Sequence, residues 1–218
     1  MKSATYKISV NESESVSAEV YLLESPKAIF VFAHGAGAGM NHAFMKELSQ
    51  ELAHHQIATL RYNFLFMEQK KKRPDFAPVA LKAVEAAIKK SAKLFPKVPA
   101  FAGGKSFGGR MTSTYLSLVE DKQIRGIVFV GFPLHPAGKS SVDRAVHLKN
   151  VKQPMLFLQG TKDSLAEWNL IEQVCAELPL SKLIRLEGMD HSFNSTKKQN
   201  LISILALEIS QWIDEQLS

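Results

Sequence analysis

Two stretches of this chain, Ile29-Phe30-Val31-Phe32-Ala33 and Ile127-Val128-Phe129-Val130, are apolar at every position. A strand with one wet face alternates apolar and polar residues, so an unbroken short run reads as a strand covered on both faces by helices. Strand signals recur at 6–10, 17–22, 28–33, 57–62, 99–103, 126–130, 155–159 and 183–186. Helical spacing fills the gaps, with Phe44, Leu48 and Leu52 on one face and Leu81, Val84 and Ile88 on the next. A further helix is expected to begin at Ser106, with others over 165–178 and 200–217, and Asn41 is a candidate cap for the first. After an apparent N-terminal hairpin, strand and helix alternate. That order predicts an α/β fold, a mostly parallel eight-stranded sheet flanked by helices, as a single domain over 1–218.

Composition narrows the class. Over 218 residues, the 45% hydrophobic and 22% charged fractions are those of an ordinary globular chain. The first thirty residues hold no continuous apolar segment of the kind that directs export, and no run approaches the ~20 apolar residues a membrane helix needs. The one cysteine, Cys175, lies within helical spacing and reads as a buried small hydrophobe, so a soluble, cytoplasmic protein is expected. The net charge of +6 raises nucleic acid as a partner, and Lys70-Lys71-Lys72-Arg73 is the densest basic run. No aromatic stacking motif accompanies it, and it reads as a solvated loop, so neither nucleic acid nor membrane is expected as a partner.

The strongest local motif is Gly103-Gly104-Lys105-Ser106-Phe107-Gly108-Gly109-Arg110, where the strand at 99–103 gives way to a helix. It contains G-x-S-x-G, in which glycines two residues either side of a serine let neighbouring chain pass a sharp strand-to-helix turn. The helix N-terminus behind the serine favours developing negative charge. Gly104-Lys105-Ser106 also looks like the end of a phosphate-binding loop, but that pattern needs a glycine where Pro99 stands.

A second glycine-rich segment, His34-Gly35-Ala36-Gly37-Ala38-Gly39, follows the strand at 28–33. As a dinucleotide fingerprint it fails, because Met40 occupies the last position and Arg61, not an acid, ends the next strand. As an oxyanion loop it fits, with the N–H groups of Ala36 and Phe107 as the expected donors. A tight turn with no ligand is the plain alternative.

A serine hydroxyl needs a base, and the base an orienting group. Of the seven histidines, His54 and His55 end a helix, His42 lies in a first turn, and His147 sits in a polar stretch without motif context. His34 and His135 follow strands near the expected site. His191 runs off the last strand in Leu186-Glu187-Gly188-Met189-Asp190-His191-Ser192-Phe193, a loop able to reach the serine turn. Its neighbour Asp190 is a poor orienter because adjacent side chains diverge. Asp163 closely follows the run Met155-Leu156-Phe157-Leu158-Gln159 and is the expected third member, with Asp143 as competitor. Asp163 also reads as an N-cap for the helix that follows. No two histidines have metal-ligand spacing, so no metal and no cofactor are expected.

The order Ser106, Asp163, His191, each after a strand, together with the early His-Gly loop, resembles the α/β-hydrolase superfamily over roughly residues 28 to 217. Within it the chain is similar to the small dienelactone-hydrolase-related group, especially the hydrolase-like domains of testis-expressed proteins and of a histone-acetyltransferase-complex subunit. The matching pieces are Ala33-His34-Gly35-Ala36-Gly37, Arg61-Tyr62-Asn63-Phe64, Gly104 to Arg110, Gln159-Gly160-Thr161-Lys162-Asp163 and Asp190-His191-Ser192-Phe193. Dienelactone hydrolases themselves carry cysteine where this chain has Ser106, so that substrate is not carried over. The resemblance implies hydrolysis of a carboxylic ester or thioester through an acyl-enzyme, with a small-molecule acyl substrate. Only 131–154 is available for an inserted lid, and its prolines oppose a long helix. The site is therefore expected to lack a substantial lid, with walls from 63–76 and 132–146 and pocket residues that include His34, Phe64, Phe66, Phe107 and Phe132. Short acyl groups should then be preferred. The competing readings are a catalytically silent interaction protein of the same fold and an NADP-dependent oxidoreductase using the glycine loop and Arg61.

Overall fold

In the computed structural model, which describes residues 2–194 and 200–218, the apolar runs are strands whose alternate side chains enter two different cores. On β3 (Ala28–Ala33), Ile29, Val31 and Ala33 face one core while Ala28, Phe30 and Phe32 face the other. β6 (Ile124–Val130) and β7 (Met155–Gly160) divide in the same way, Phe129 and Phe157 to one side, Val128, Val130, Leu156 and Leu158 to the other. With both faces covered, neither parity tolerates a polar residue without a partner. Each fully buried side chain of this size contributes ~1.5–3 kcal/mol.

Helices α1 (Ala43–His54) and α6 (Leu201–Leu217) cover one face through Leu48, Leu52, Leu205, Ile209 and Trp212. On the other lie α3 (Ala77–Leu94), α4 (Phe107–Leu118) and α5 (Trp168–Ala176), through Val84, Ile88, Met111, Leu116 and Ile171. The eight-stranded sheet has the order β1-β2-β4-β3-β5-β6-β7-β8. β1 (Lys2–Ser9) and β2 (Ser15–Leu22) form the expected hairpin, and β2 joins β4 (Ile57–Tyr62) antiparallel. From β4 through β3, β5 (Ala100–Lys105), β6 and β7 to β8 (Ser181–Leu186) every pair is parallel. The chain steps from β3 outward to β4, then back past β3 to β5. That reversal opens a crevice at the carboxyl ends of β3 and β5, the position at which open α/β sheets bind ligands. Both glycine-rich segments lead out of those two strands.

Local starts differ from expectation where tertiary contacts intervene. Asn41 does not cap α1; His42 does, its Nδ1 accepting the Phe44 N–H at 3.3 Å. Asn41 is used inside a turn in which His42 N–H bonds the Gly39 carbonyl, and Met40 is pinned on both sides by Asn63 Oδ1 and the Arg61 guanidinium. A short helix α2 (Leu65–Glu68), absent from the sequence reading, follows β4 and buries Leu65 and Phe66. α5 starts three residues later than expected. Asp163 instead accepts the Leu165 N–H at 2.8 Å in a turn that precedes the helix, so it is not the cap. The segment between β6 and β7 contains a 3-10 helix, Asp143–Asn150, packed on α4, and among the described residues no long helix lies over the crevice. No helix among them is long and apolar enough to cross a membrane.

The crevice depends on glycine at two points of backbone contact. A Cβ at Gly104 would stand 2.3 Å from the Ala33 carbonyl oxygen, and one at Gly108 would stand 2.6 Å from the carbonyl oxygens of both Ala33 and His34. The obstructing atoms are backbone of the central strand and cannot swing aside. Gly104→Ala should therefore lower the unfolding free energy by about 3 kcal/mol, measured by urea denaturation; a loss below about 0.5 kcal/mol would contradict this packing.

Candidate active site

Ser106 lies between β5 and α4 with φ 50° and ψ −114°, a backbone conformation rare for a residue with a side chain. Its N–H bonds the Val130 carbonyl at 3.1 Å and its own carbonyl accepts the Arg110 N–H of the first helical turn. The chain cannot round the corner in an extended or helical conformation and keep both bonds, and the outcome is a serine hydroxyl held at the mouth of the crevice.

His191 meets that hydroxyl. The Ser106 Oγ–H donates to His191 Nε2 at 2.8 Å, and His191 Nδ1–H donates to Asp163 Oδ2 at 2.7 Å. The carboxylate is buried and further held by Gln159 Nε2 at 2.6 Å and by the Leu165 N–H on its other oxygen. Gln159 is itself fixed by accepting the Phe132 N–H at 2.9 Å. The loops that carry Asp163 and His191 are stitched together by two backbone bonds, Thr161 N–H to Leu186 O and Lys162 N–H to Met189 O, and by the Gly188 N–H donating to the Thr161 hydroxyl. Asp143, the competitor, is exposed at the start of the 3-10 helix. Asp190 turns away, its carboxylate accepting the Asn194 N–H at 2.8 Å.

A second Ser–His contact, Ser113 Oγ to His147 Nε2 at 2.8 Å, lies between α4 and the 3-10 helix. Ser113 is fully buried within α4 and also donates to the Arg110 carbonyl, so no substrate reaches it. His147, which had no motif context in sequence, serves packing. Burial, then the nearby Arg110 charge, lower it to about 4. Burial pushes the Cys175 thiol up to about 12, away from reactivity. Among the described residues no group of His, Cys, Asp and Glu stands close enough together to hold a metal ion.

A cavity of about 440 Å³ surrounds Ser106, within the range of small-molecule sites. Ala36 and the rest of the 35–38 loop line it, and a Cβ at Gly35 would sit 3.7 Å from that of Ser106. A family model described as "Alpha/beta hydrolase domain" matches residues 26–213, most of the chain. The chain belongs to the α/β-hydrolase family. Solved structures share the hydrolase fold across nearly their full length. Dienelactone hydrolase from Anabaena variabilis superposes with a TM-score of 0.79 at 16% identity, covering 98% of this chain and 97% of that one. Est1E from Butyrivibrio proteoclasticus, solved with ferulic acid bound, gives 0.78 at 14% identity, covering 97% and 99%. A serine hydrolase without a lid from Xanthomonas campestris gives 0.76 at 17% identity, covering 97% and 95%.

The expected walls of the hydrolase pocket are not where the sequence reading put them. Phe64 and Phe66 are completely buried, Phe132 nearly so, Phe107 is buried as well, and none of the four lines the cavity. Once α2 forms, Phe64 and Phe66 turn inward and pack edge-on against Phe107 at 5.1 and 5.9 Å between ring centroids, an aromatic layer beneath the site. The walls are instead His42, Phe44 and Met45 from the start of α1, with Leu165 and Ser192 opposite. Helical spacing on α1 assigned Phe44 to the core, and it is only half-buried. Arg61 is fully buried, with its guanidinium bonded to the Met40 carbonyl at 2.7 Å and paired with Glu19 at 2.9 Å. It does not point out of the glycine loop, which removes its part in the NADP reading.

His34 likewise leaves the pocket. It is fully buried, its Nε2 accepting the Phe64 N–H at 3.0 Å and its Nδ1–H donating to the Gly35 carbonyl at 2.7 Å. Burial lowers its pKa from 6.5 to about 4, against a smaller upward pull from the Gly35 bond. Between those values the unfolded chain takes up a proton that the folded one refuses, so stability is lost as pH falls through that window. Unfolding free energy should drop by on the order of 3 kcal/mol from this group between pH 6.5 and 4. His34→Gln, which keeps an acceptor but does not titrate, should show a shallower dependence in urea denaturation at the two pH values; identical slopes would contradict a neutral buried His34.

Proposed function

We propose that the chain is a serine hydrolase that cleaves a carboxylic ester or thioester with a short or compact acyl group. The observation that carries this reading is the unbroken hydrogen-bonded series Asp163, His191, Ser106, ending on a strained turn at the mouth of a cavity. Ser106 Oγ attacks the acyl carbon as its proton passes to His191 Nε2. Asp163 keeps the Nδ1–H tautomer in place and stabilises the imidazolium. The carbonyl oxygen becomes an oxyanion, received by the N–H groups of Phe107, at the first position of α4, and of Ala36 in the facing loop. His191 then protonates the leaving alcohol or thiol, and a water activated by the same imidazole releases the acid from the acyl-enzyme. A single buried thiol accords with a reducing, cytoplasmic setting.

A fluorophosphonate probe should label the protein on Ser106, found by peptide mass spectrometry, and Ser106→Ala should abolish labelling. An unlabelled wild type would favour a catalytically silent member of the fold. Asp163→Asn should lower kcat/KM by roughly 10²- to 10⁴-fold. Asp143→Asn should leave it within about twofold; the reverse ranking would overturn the triad.

The cavity supports the acyl preference from different residues than the sequence suggested. Phe44, Met45 and Leu165 offer apolar contact beside Ser106, and among the described residues no lid extends them into a channel. Every methylene left in water forgoes about 0.8 kcal/mol of burial. Acetyl and butyryl p-nitrophenyl esters should therefore exceed octanoyl and palmitoyl esters in kcat/KM, and a steady rise towards palmitoyl would sink the assignment.

A further inference from the structure

Lys105, the residue before the serine, has no part in the proton transfers above, yet it is largely buried beside them. We infer that Lys105 is a positioning residue whose charged ammonium ties the Ser106 turn to the His191 loop, so that the spacing of nucleophile and base depends on that charge. The inference rests on the serine-hydrolase reading.

The geometry is specific. Lys105 is the last residue of β5, paired with Val130, and its side chain crosses to the loop after β8, where Nζ donates to the backbone carbonyl of His191. The ammonium also lies 4.5 Å from the centroid of the Phe193 ring. Phe193 adopts φ 65°, turning the loop back on itself with its N–H on the Asp190 carbonyl. Room for the ammonium comes from Gly131 at the end of β6, where a Cβ would stand 3.3 Å from Nζ. One side chain thus spans the ends of β5 and β6 and grips the residue that carries the base.

The charged and titratable groups facing it are Asp163 from the loop after β7, and Asp190 and His191 from the loop after β8. The two carboxylates favour the ammonium, but burial outweighs them and lowers Lys105 from 10.5 to about 8. The site therefore holds the cation at neutral pH and loses it just above. A neutral amine still donates a hydrogen bond, but without charge assistance and without attraction to the Phe193 ring. The His191 loop is then held less firmly, and displacement of a catalytic group by ~1 Å is enough to cost on the order of 10²-fold.

The test is the second-order rate of fluorophosphonate labelling of Ser106 from pH 6 to 10, which needs no knowledge of the natural substrate. The wild-type rate should rise as His191 becomes neutral and then fall through about pH 8. Lys105→Met should label roughly 10- to 100-fold more slowly at pH 7 and show no alkaline fall. Its acid limb should move to higher pH, because a nearby cation no longer opposes the imidazolium. Lys105→Arg, charged throughout this range, should also lack the alkaline fall while labelling faster than the Met variant at pH 7. A residue that merely filled space would change the rate without changing these limbs. A wild-type rate that stays level from pH 7.5 to 10 overturns the inference even if neither variant folds, as does a Met variant with the wild-type profile. Absence of wild-type labelling at every pH would instead overturn the nucleophile assignment, and this inference with it.

Discussion

The backbone of Ser106 is held in a conformation that costs on the order of 1–3 kcal/mol relative to ordinary regions, and the site is arranged around keeping it there. β5 and α4 approach β3 so closely that the Ala33 carbonyl occupies the space a Cβ at Gly104 or Gly108 would need. That contact drives α4 against the carboxyl end of the central strand and leaves the serine no relaxed path between strand and helix. The strain is supported by the apolar layers on either side, since relaxing the turn would pull Phe107, Met111 and Leu116 out of one core. The exposure of the Ser106 hydroxyl is in this sense a property of the sheet packing, not of the pentapeptide.

Much of this was legible in the sequence because each piece had a local signature. A doubly covered strand must be apolar at every position, so β3, β6 and β7 announced themselves, and the glycines beside Ser106 marked a close approach before its partner was known. Asp163 and His191 each follow a strand, a property that brings residues so far apart in the chain to one edge of a sheet, and the fold sets them in hydrogen-bond contact. The failures share a cause. Phe64 and Phe132 follow strands near the site, which in sequence points them to the pocket, but whether an aromatic ring faces solvent or core is decided by what packs beneath it. For Phe64 that neighbour is α2, four residues long and too short for its periodicity to register; for Phe132 it is Phe129 and Phe157 of the sheet. Gln159 carries a signal of its own, ending the apolar run Met155-Leu156-Phe157-Leu158. A polar side chain at a position covered on both faces must have a buried partner, and that reasoning alone would have pointed to a neighbour needing support.

The support given to Asp163 shows how a charge is maintained inside the protein. Burying a carboxylate is costly unless its oxygens are occupied. Gln159 and His191 share one oxygen and the Leu165 N–H takes the other, leaving His191 fixed in ring orientation and tautomer. Gln159 is not interchangeable with an apolar residue, because its carbonyl also receives the Phe132 N–H that begins the next loop. Asp163 is thereby connected to the loop after β6 as well as to those after β7 and β8, so one hydrogen-bond network ties three edges of the crevice.

On the opposite edge the requirement is reversed. The loop 35–38 lines the cavity with backbone, and glycine and alanine residues alone give it no side chains with which to anchor itself. Its anchors come from below and beyond: neutral His34 bridges the Phe64 N–H and the Gly35 carbonyl, and the Asn63 carboxamide and Arg61 guanidinium clamp Met40 where the loop turns into α1. The histidine can do this only while one ring nitrogen accepts and the other donates, which is the state its burial enforces. The wholly enclosed Arg61 guanidinium is paired with Glu19 across the β2–β4 pair, which gives the antiparallel hairpin at the edge of the sheet a physical connection to the shape of the 35–38 loop.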